Sequence, residues 1–370
     1  MHIGVPKEIK NHEYRAGLTA SSVKELTSRG HQVTIETNLG IGVGISDAEY
    51  VSAGAKVAAN AKDIFASADM IVKVKEPQAV ECAMLRPNQI LFTFLHLAPD
   101  AMQTDALLKS GCSAIAYETV QTADGKLPLL TPMSEVAGRL SIQVGAHYLE
   151  REHGGRGVLL GGVSGVAPAD ILIIGAGVSG SNAMQMAVGM GARVSVLDKN
   201  MSRLREIDQI YQGHVETLYA NAGTLEYKLS YADLVIGAVL VPGAAAPKLV
   251  TRKQLGIMKQ GSVMVDIAID QGGCFETSKP TTHDNPVYTV DGVVHYCVTN
   301  MPGAVPRTSS FALNNVTLPY TVALAEHGLS ALKKDPALAA GLNVHAGKLT
   351  NAAVAEAQGK KYIEPLKAIT

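Results

Sequence analysis

The segment Gly175-Ala176-Gly177-Val178-Ser179-Gly180 has the residue types and spacing to hold a phosphate-bearing ligand. It directly follows the apolar run Ile171-Leu172-Ile173-Ile174, and it opens a stretch of helical spacing. Asp198 ends the next strand-like run, at the distance a dinucleotide fingerprint requires. In that pattern Gly175 permits the tight turn, Gly177 lets the backbone approach a pyrophosphate, and Gly180 allows close helix packing. The helix amino terminus, at Val178 and Ser179, offers N–H groups and a favourable dipole to the phosphates. Asp198 would accept hydrogen bonds from the adenosine ribose and repel the extra phosphate of NADP; Lys199 and Arg203 nearby weaken that repulsion. A plain strand–helix turn, with Asp198 as a helix cap, is the simpler alternative.

Four further polar residues stand at turns or strand ends. Arg15 sits in Glu13-Tyr14-Arg15, Lys75 precedes Glu76-Pro77, His96 ends an apolar run, and Asp270 precedes Gln271-Gly272-Gly273. Ligands of open α/β sheets bind at strand carboxyl ends. Taken singly, each reads more simply as a surface charge or a turn residue.

The elements that would carry these residues alternate. Strand patterns fall at His31–Glu36, Met70–Val74, Gln89–Leu95 and Ser113–Tyr117, with helical spacing over Ala20–Ser28. Thr131-Pro132 reads as a cap with proline at the first helical position, opening a long helix over Ser134–Glu150 that ends at Gly154-Gly155. A second series follows at Arg193–Asp198, Leu234–Ala238, Ser262–Ile267 and His295–Val298. The last 65 or so residues read as helical, most clearly Ala323–Leu332. They are too few to hold a core alone. The expectation is an α/β protein of two Rossmann-like domains with parallel sheets, separated by a cleft that closes in turnover. The first domain is discontinuous, 1–130 plus 305–370, and the second is 131–304.

Composition excludes several classes. The 370 residues carry a net charge of -1, with no basic stretch for nucleic acid. Hydrophobic residues make up 47% and charged ones 18%, so a large core can form. The amino terminus reads as a strand and turn rather than a signal peptide, and no window reaches the roughly 18 apolar residues of a membrane span. Cys82, Cys112, Cys274 and Cys297 form no metal spacing and read as reduced thiols of a cytoplasmic protein.

Several blocks in order make a resemblance specific. They are Gly4-Val5-Pro6-Lys7-Glu8, Lys73-Val74-Lys75-Glu76-Pro77, Phe92-Thr93-Phe94-Leu95-His96-Leu97 and Ala116-Tyr117-Glu118-Thr119. Met133-Ser134-Glu135-Val136-Ala137-Gly138-Arg139 and Asp266-Ile267-Ala268-Ile269-Asp270-Gln271-Gly272-Gly273 complete the set. With them the chain resembles the alanine dehydrogenase family over its whole length. That fold also serves the NAD-binding subunit of proton-translocating transhydrogenase and a lysine-forming saccharopine dehydrogenase.

The resemblance implies reversible NAD-dependent deamination of L-alanine to pyruvate and ammonium, in a homohexamer. Arg15 and Lys75 would hold the substrate carboxylate, with His96 as general acid/base and Asp270 assisting. Ser134, Val178, Ser179, Asp198, Val239, Leu240, Ile267, Ala268, Ile269, Asp270, Val298, Thr299, Asn300 and Met301 would line the NAD site. Arg203 and Lys279 stand where the family has basic cofactor contacts, and Ala220 where some members have serine. Glu118 and His327 match positions that bind magnesium in some members. The rival readings are a non-catalytic NAD(H)-binding subunit that works with a membrane component, and a dehydrogenase for another amino acid or a saccharopine-like substrate.

Overall fold

Short apolar runs between turns build the central strands of the sheets, because strands covered on both faces need no polar alternation. The first strands are β1 (His2–Val5), β2 (Gln32–Glu36), β3 (Lys56–Ala58), β4 (Met70–Val72), β5 (Ile90–Thr93) and β6 (Ser113–Ala116), of which β2 alternates and β3 is largely exposed. A second group is β7 (Asp170–Ile174), β8 (Arg193–Asp198), β9 (Val215–Tyr219), β10 (Leu234–Gly237), β11 (Val263–Asp266), β12 (Val287–Val290) and β13 (Val293–Tyr296). Near the carboxyl end come β14 (Leu342–His345) and β15 (Lys348–Leu349). The structure, a computed structural model, describes residues 1–239 and 246–370.

The chain forms two compact units, Met1–Met133 with Val305–Thr370, and Ser134–Ala304. The first holds an eight-stranded sheet in the order β15-β14-β6-β5-β4-β1-β2-β3. β1 to β6 pair in parallel, while β14 joins β6 and β15 antiparallel. Its core gathers Ile64, Phe65, Ile71, Leu91, Leu107 and Val344. The second unit holds a seven-stranded sheet in the order β12-β13-β11-β10-β7-β8-β9, parallel except for the β12–β13 hairpin. Leu172, Val235, Leu255, Met264 and Phe275 are among its core residues. No helix among the described residues is long and apolar enough to cross a membrane.

Three expectations need correcting. The long helix runs Thr131–Tyr148, and Thr131 does not cap it: its hydroxyl donates back to the Leu127 carbonyl at 3.0 Å. The tail is not all helix. Its main helix spans Pro306–His327, breaks at Gly328 (φ +57°), and is followed by β14 and β15. The stretch Ala323–Leu332 therefore straddles a helix end. Finally, β3, β9 and β12 are strands that the alternation alone did not reveal.

Candidate active site

The glycine loop leaves β7 at a switch point, where β10 lies on one side of β7 and β8 on the other. Gly175 adopts φ +102°, and a Cβ there would stand 2.7 Å from the Ala238 carbonyl oxygen. At Gly180 a Cβ would come within 1.9 Å of the Gly175 oxygen, so the helix Val178–Gly189 can press on the loop only without a side chain. Gly177 differs: a Cβ there meets nothing within 4 Å, so open space lies before the loop. No described side chain caps this helix. Its first N–H groups therefore suit a phosphate. Gly138 lets the helix Thr131–Tyr148 cross closely, since a Cβ would fall 2.1 Å from the Ser179 oxygen. Ser134, half-buried, stands one turn earlier on that helix.

Asp198, at the end of β8, accepts the Ala176 N–H through Oδ2 and the Asn200 N–H through Oδ1, both at 2.7 Å. A carboxylate has about four acceptor sites, so ribose hydroxyls can still be accommodated. Arg203 grips the loop through Nε on the Ala176 carbonyl (3.0 Å) and Nη2 on Ser181 Oγ (2.6 Å). Ala220 donates its N–H to the Asp198 carbonyl at 3.0 Å. Val239 follows β10 beside Gly175; Leu240 lies outside the described residues. The open loop, the uncapped helix and the rimming carboxylate fit a dinucleotide.

Asp270 is exposed on the short helical turn Ile267–Gln271 that follows β11, with Ala268 and Ile269 buried beneath it. That turn is shaped by a residue the sequence reading passed over. Buried Asp266 accepts N–H groups from Ala268 (3.0 Å) and Cys274 (2.8 Å) and the hydroxyl of Ser278. Burial pushes its carboxyl up, and those donors oppose the rise. Val298 and Met301 are buried, Thr299 and Asn300 half-buried, with Asn300 at φ +62°. Lys279 is exposed, and its backbone N–H donates to the Tyr288 hydroxyl at 2.6 Å.

In the first unit, Arg15, Lys75 and His96 follow β1, β4 and β5, which are neighbours in one parallel sheet. All three thus come off the carboxyl ends of adjacent strands. Arg15 is 3% exposed, and Glu13 holds it by a bidentate pair, Nε at 2.7 Å and Nη2 at 2.6 Å. Its Nη1 donates to Met133 Sδ at 3.1 Å, a weak acceptor that a carboxylate outcompetes. Lys75 is half-buried, and its backbone N–H donates to Glu8 Oε1 at 3.3 Å. Glu8 Oε1 also accepts the Val74 N–H at 2.7 Å. Beneath lies a buried triad, Lys73 Nζ between Glu8 (2.9 Å) and Glu81 (2.8 Å). Burial raises the Glu8 carboxyl, against the pull of Lys73. Burial would also raise Glu76, but the charges of Lys75 and Lys10 outweigh it and hold that carboxyl low.

His96 takes φ +50°, the left-handed region that few non-glycine residues enter. Glu118 fixes it there, accepting the His96 N–H at 2.6 Å and the Leu95 N–H at 3.2 Å. The exposed ring stacks on Phe94, centroids 5.7 Å apart and planes 2° from parallel. Such strain, held by its surroundings, gathers at functional sites. His327 ends the helix Pro306–His327, with Nε2 4.0 Å from Glu326. Magnesium prefers an octahedron of oxygens, and the Glu118 carboxylate already serves backbone donors, so this pair is a poor fit for it. All four cysteines are free and buried; burial pushes Cys82 up to about 12 and Cys112 to about 11.

Sequence reasoning missed Glu13, Glu8, Lys73, Glu81 and Asp266. One signal was available: Lys73 interrupts the apolar run Met70-Ile71-Val72, and a buried lysine needs an acidic partner.

The chain matches known proteins over nearly its whole length. Residues 4–137 match the family "Alanine dehydrogenase/PNT, N-terminal domain", and 141–352 its "C-terminal domain". An alanine dehydrogenase of Halomonas elongata is 59% identical over 365 residues, covering 98% of each chain. One from Mycobacterium tuberculosis is 55% identical over 366 residues, covering 99% of each. A solved L-alanine dehydrogenase superposes with a TM-score of 0.95 at 55% identity, covering 97% of this chain and 99% of that one. A transhydrogenase from Sinorhizobium meliloti matches with a TM-score of 0.82 at 26% identity, covering 95% of this chain and 100% of that one.

Proposed function

The chain belongs to the alanine dehydrogenase/PNT family, and on that premise we propose that it converts L-alanine, NAD+ and water reversibly to pyruvate, ammonium and NADH. It is an oxidoreductase acting on the CH–NH2 group. The observation that carries the substrate reading is the set of Arg15, Lys75 and His96 at the ends of three adjacent strands. A subunit that only binds NAD(H) has no need of it.

Gly175 to Gly180, Asp198 and the residues after β10, β11 and β13 would hold the dinucleotide. NAD+, when bound, accepts the hydride from the alanine Cα. The chain supplies the rest. Arg15 Nη1 and the Lys75 ammonium take the carboxylate, and such orientation contributes several kcal/mol toward the barrier. His96 accepts a proton from the substrate ammonium, because only the neutral amine can push out the hydride. It passes that proton to solvent, then accepts one from the water that adds to the iminium carbon and gives it to the amine of the carbinolamine, which leaves as ammonia while the hydroxyl proton departs and the keto group forms. An imidazole can both accept and donate a proton near neutral pH. Lys75 also stabilises negative charge developing on the keto oxygen. Asp270 assists as the second acid/base.

This reading uses no magnesium. It places the enzyme in the cytoplasm, supported by four free, buried thiols, and as a homohexamer, supported by the family resemblance. The test is NADH formation with NAD+ and a panel of L-amino acids. L-Alanine is expected to turn over fastest, and His96→Ala to lose about 10²–10⁴ of the rate. Clear NAD+ binding without turnover of any amino acid would favour the non-catalytic subunit.

A further inference from the structure

At the end of the helix Thr131–Tyr148 stands a second cluster of titratable side chains, in the sequence His147-Tyr148-Leu149-Glu150-Arg151-Glu152-His153. Among the described residues, His147, Glu150 and His153 are the one trio of histidine, cysteine or acidic side chains whose ligand atoms all lie within 4.8 Å of one another. His147 Nδ1 is 3.8 Å from Glu150 Oε2, and His153 Nε2 is 3.5 Å from the same oxygen. The two imidazole rings have centroids 3.9 Å apart.

A continuous helix would not produce this. Residues three and six positions apart would spread over about 120° and climb about 9 Å along the axis. The convergence comes from a break. Glu150 is extended (ψ 142°), Arg151–His153 form a 3₁₀ turn, and Gly154 closes it at φ +88°. The turn is pinned where it stands. Gly155 and Gly157 donate to the Glu150 and Leu149 carbonyls at 3.1 and 2.8 Å, and a Cβ on Gly155 would fall 2.2 Å from the Tyr148 oxygen. The backbone therefore folds His153 back over His147.

We propose that His147, Glu150 and His153 bind a divalent transition-metal ion, zinc being the best match. Two imidazoles and one carboxylate form a common three-ligand zinc set, water taking the fourth position. Ligand atoms around a tetrahedral zinc stand about 3.4 Å apart, given bonds of about 2.0–2.1 Å. The two edges from Glu150, 3.5 and 3.8 Å, need only a small contraction, and the edge between the imidazoles, within 4.8 Å, has to close by up to about 1.4 Å. Imidazole nitrogen selects zinc, nickel or copper over magnesium and calcium. The side chains are 34–61% exposed, so an ion can reach them from solvent. Of the three, His147 also lines a shallow depression with Gln143, Tyr148, His283 and Tyr296. None of the three ligands belongs to the proposed cofactor or substrate site. The ion would fasten the helix end to the following turn and stabilise the fold by mass action.

The test is zinc binding to the full-length, untagged, chelator-treated chain. It uses equilibrium dialysis with metal analysis, and cobalt(II) as a visible-spectrum probe. The expected result is one high-affinity ion per chain, with a low-coordinate cobalt spectrum and a raised thermal midpoint. His147→Asn and His153→Asn should each weaken binding at least about tenfold, the loss that even an outer-shell partner causes. Glu150→Gln should weaken it while keeping both imidazoles. Unaltered circular dichroism checks that the variants fold. No zinc retained by the wild type, or equal binding by both histidine variants, overturns the proposal. So does loss of the ion in Glu118→Gln with retention in His147→Asn.

Discussion

Arg15 can hold a substrate carboxylate because Glu13 has already fixed its guanidinium. Nε and Nη2 bind Glu13 and Nη1 contacts Met133, so the plane and direction of the guanidinium are set. Glu13→Ala is accordingly expected to raise KM for both L-alanine and pyruvate more than it lowers kcat, and to destabilise the first unit by about 3–5 kcal/mol. Steady-state kinetics and chemical denaturation check this; an unchanged KM would mean that Arg15 does not need Glu13. A buried histidine adds acid sensitivity to the fold. His295 is fully buried, its Nε2 2.8 Å from Thr277 Oγ1 and its Nδ1 3.0 Å from the Val293 carbonyl. Burial lowers its pKa below the ordinary 6.5, so the fold holds it neutral. Its stabilising contribution is present above about pH 6.5 and is lost as the pH falls through the lower folded value. The thermal midpoint should therefore drop with acidification below that point, with a shallower slope in His295→Gln. Equal slopes would assign the acid sensitivity elsewhere.

Elements place these residues by devices of different legibility. The loop from Gly175 to Gly180 could be read in advance because Gly175 and Gly180 each answer a separate steric demand, with open space at Gly177 between them. Gly180→Ala tests that directly. A methyl group 1.9 Å from the Gly175 oxygen has to push the helix off the loop. The expected cost is about 1–3 kcal/mol, with weaker NAD+ binding in a fluorescence titration; unaltered affinity would contradict the packing role. The Lys75 loop was harder to read. Its position depends on Glu8, which collects the Val74 and Lys75 N–H groups while pairing with Lys73. Those contacts join positions more than sixty residues apart, and no local pattern announces them. The β12–β13 hairpin did carry a signal, Asp291-Gly292 between two β-rich runs, both residues at positive φ. The β14–β15 hairpin did not: its turn is Ala346-Gly347, and Ala346 takes φ +47° without being an asparagine or aspartate.

Across the whole molecule, the net charge of -1 provides no general field for a substrate carboxylate. On the proposed function, its capture would fall to Arg15 and Lys75 locally. The two-sheet architecture was legible because long-range order follows from repeated strand–helix alternation. The tail was legible only in outline. Its helix Pro306–His327 shows no strong amphipathic period, since it buries polar residues such as Ser310, Asn314, Thr317 and Thr321 against its own unit. Asn314 accepts the Thr19 N–H at 2.9 Å, and Ser310 accepts the Ala16 N–H at 3.1 Å, so the tail braces the segment that carries Arg15. On the proposed function, a hydride leaves the alanine Cα for the cofactor. Mass spectrometry of the reduced cofactor formed from L-alanine deuterated at Cα tests this directly. One deuterium is expected in each NADH produced by the wild type, and almost no reduced cofactor from His96→Ala. Reduced cofactor without deuterium, or none from the wild type despite bound NAD+, would contradict it.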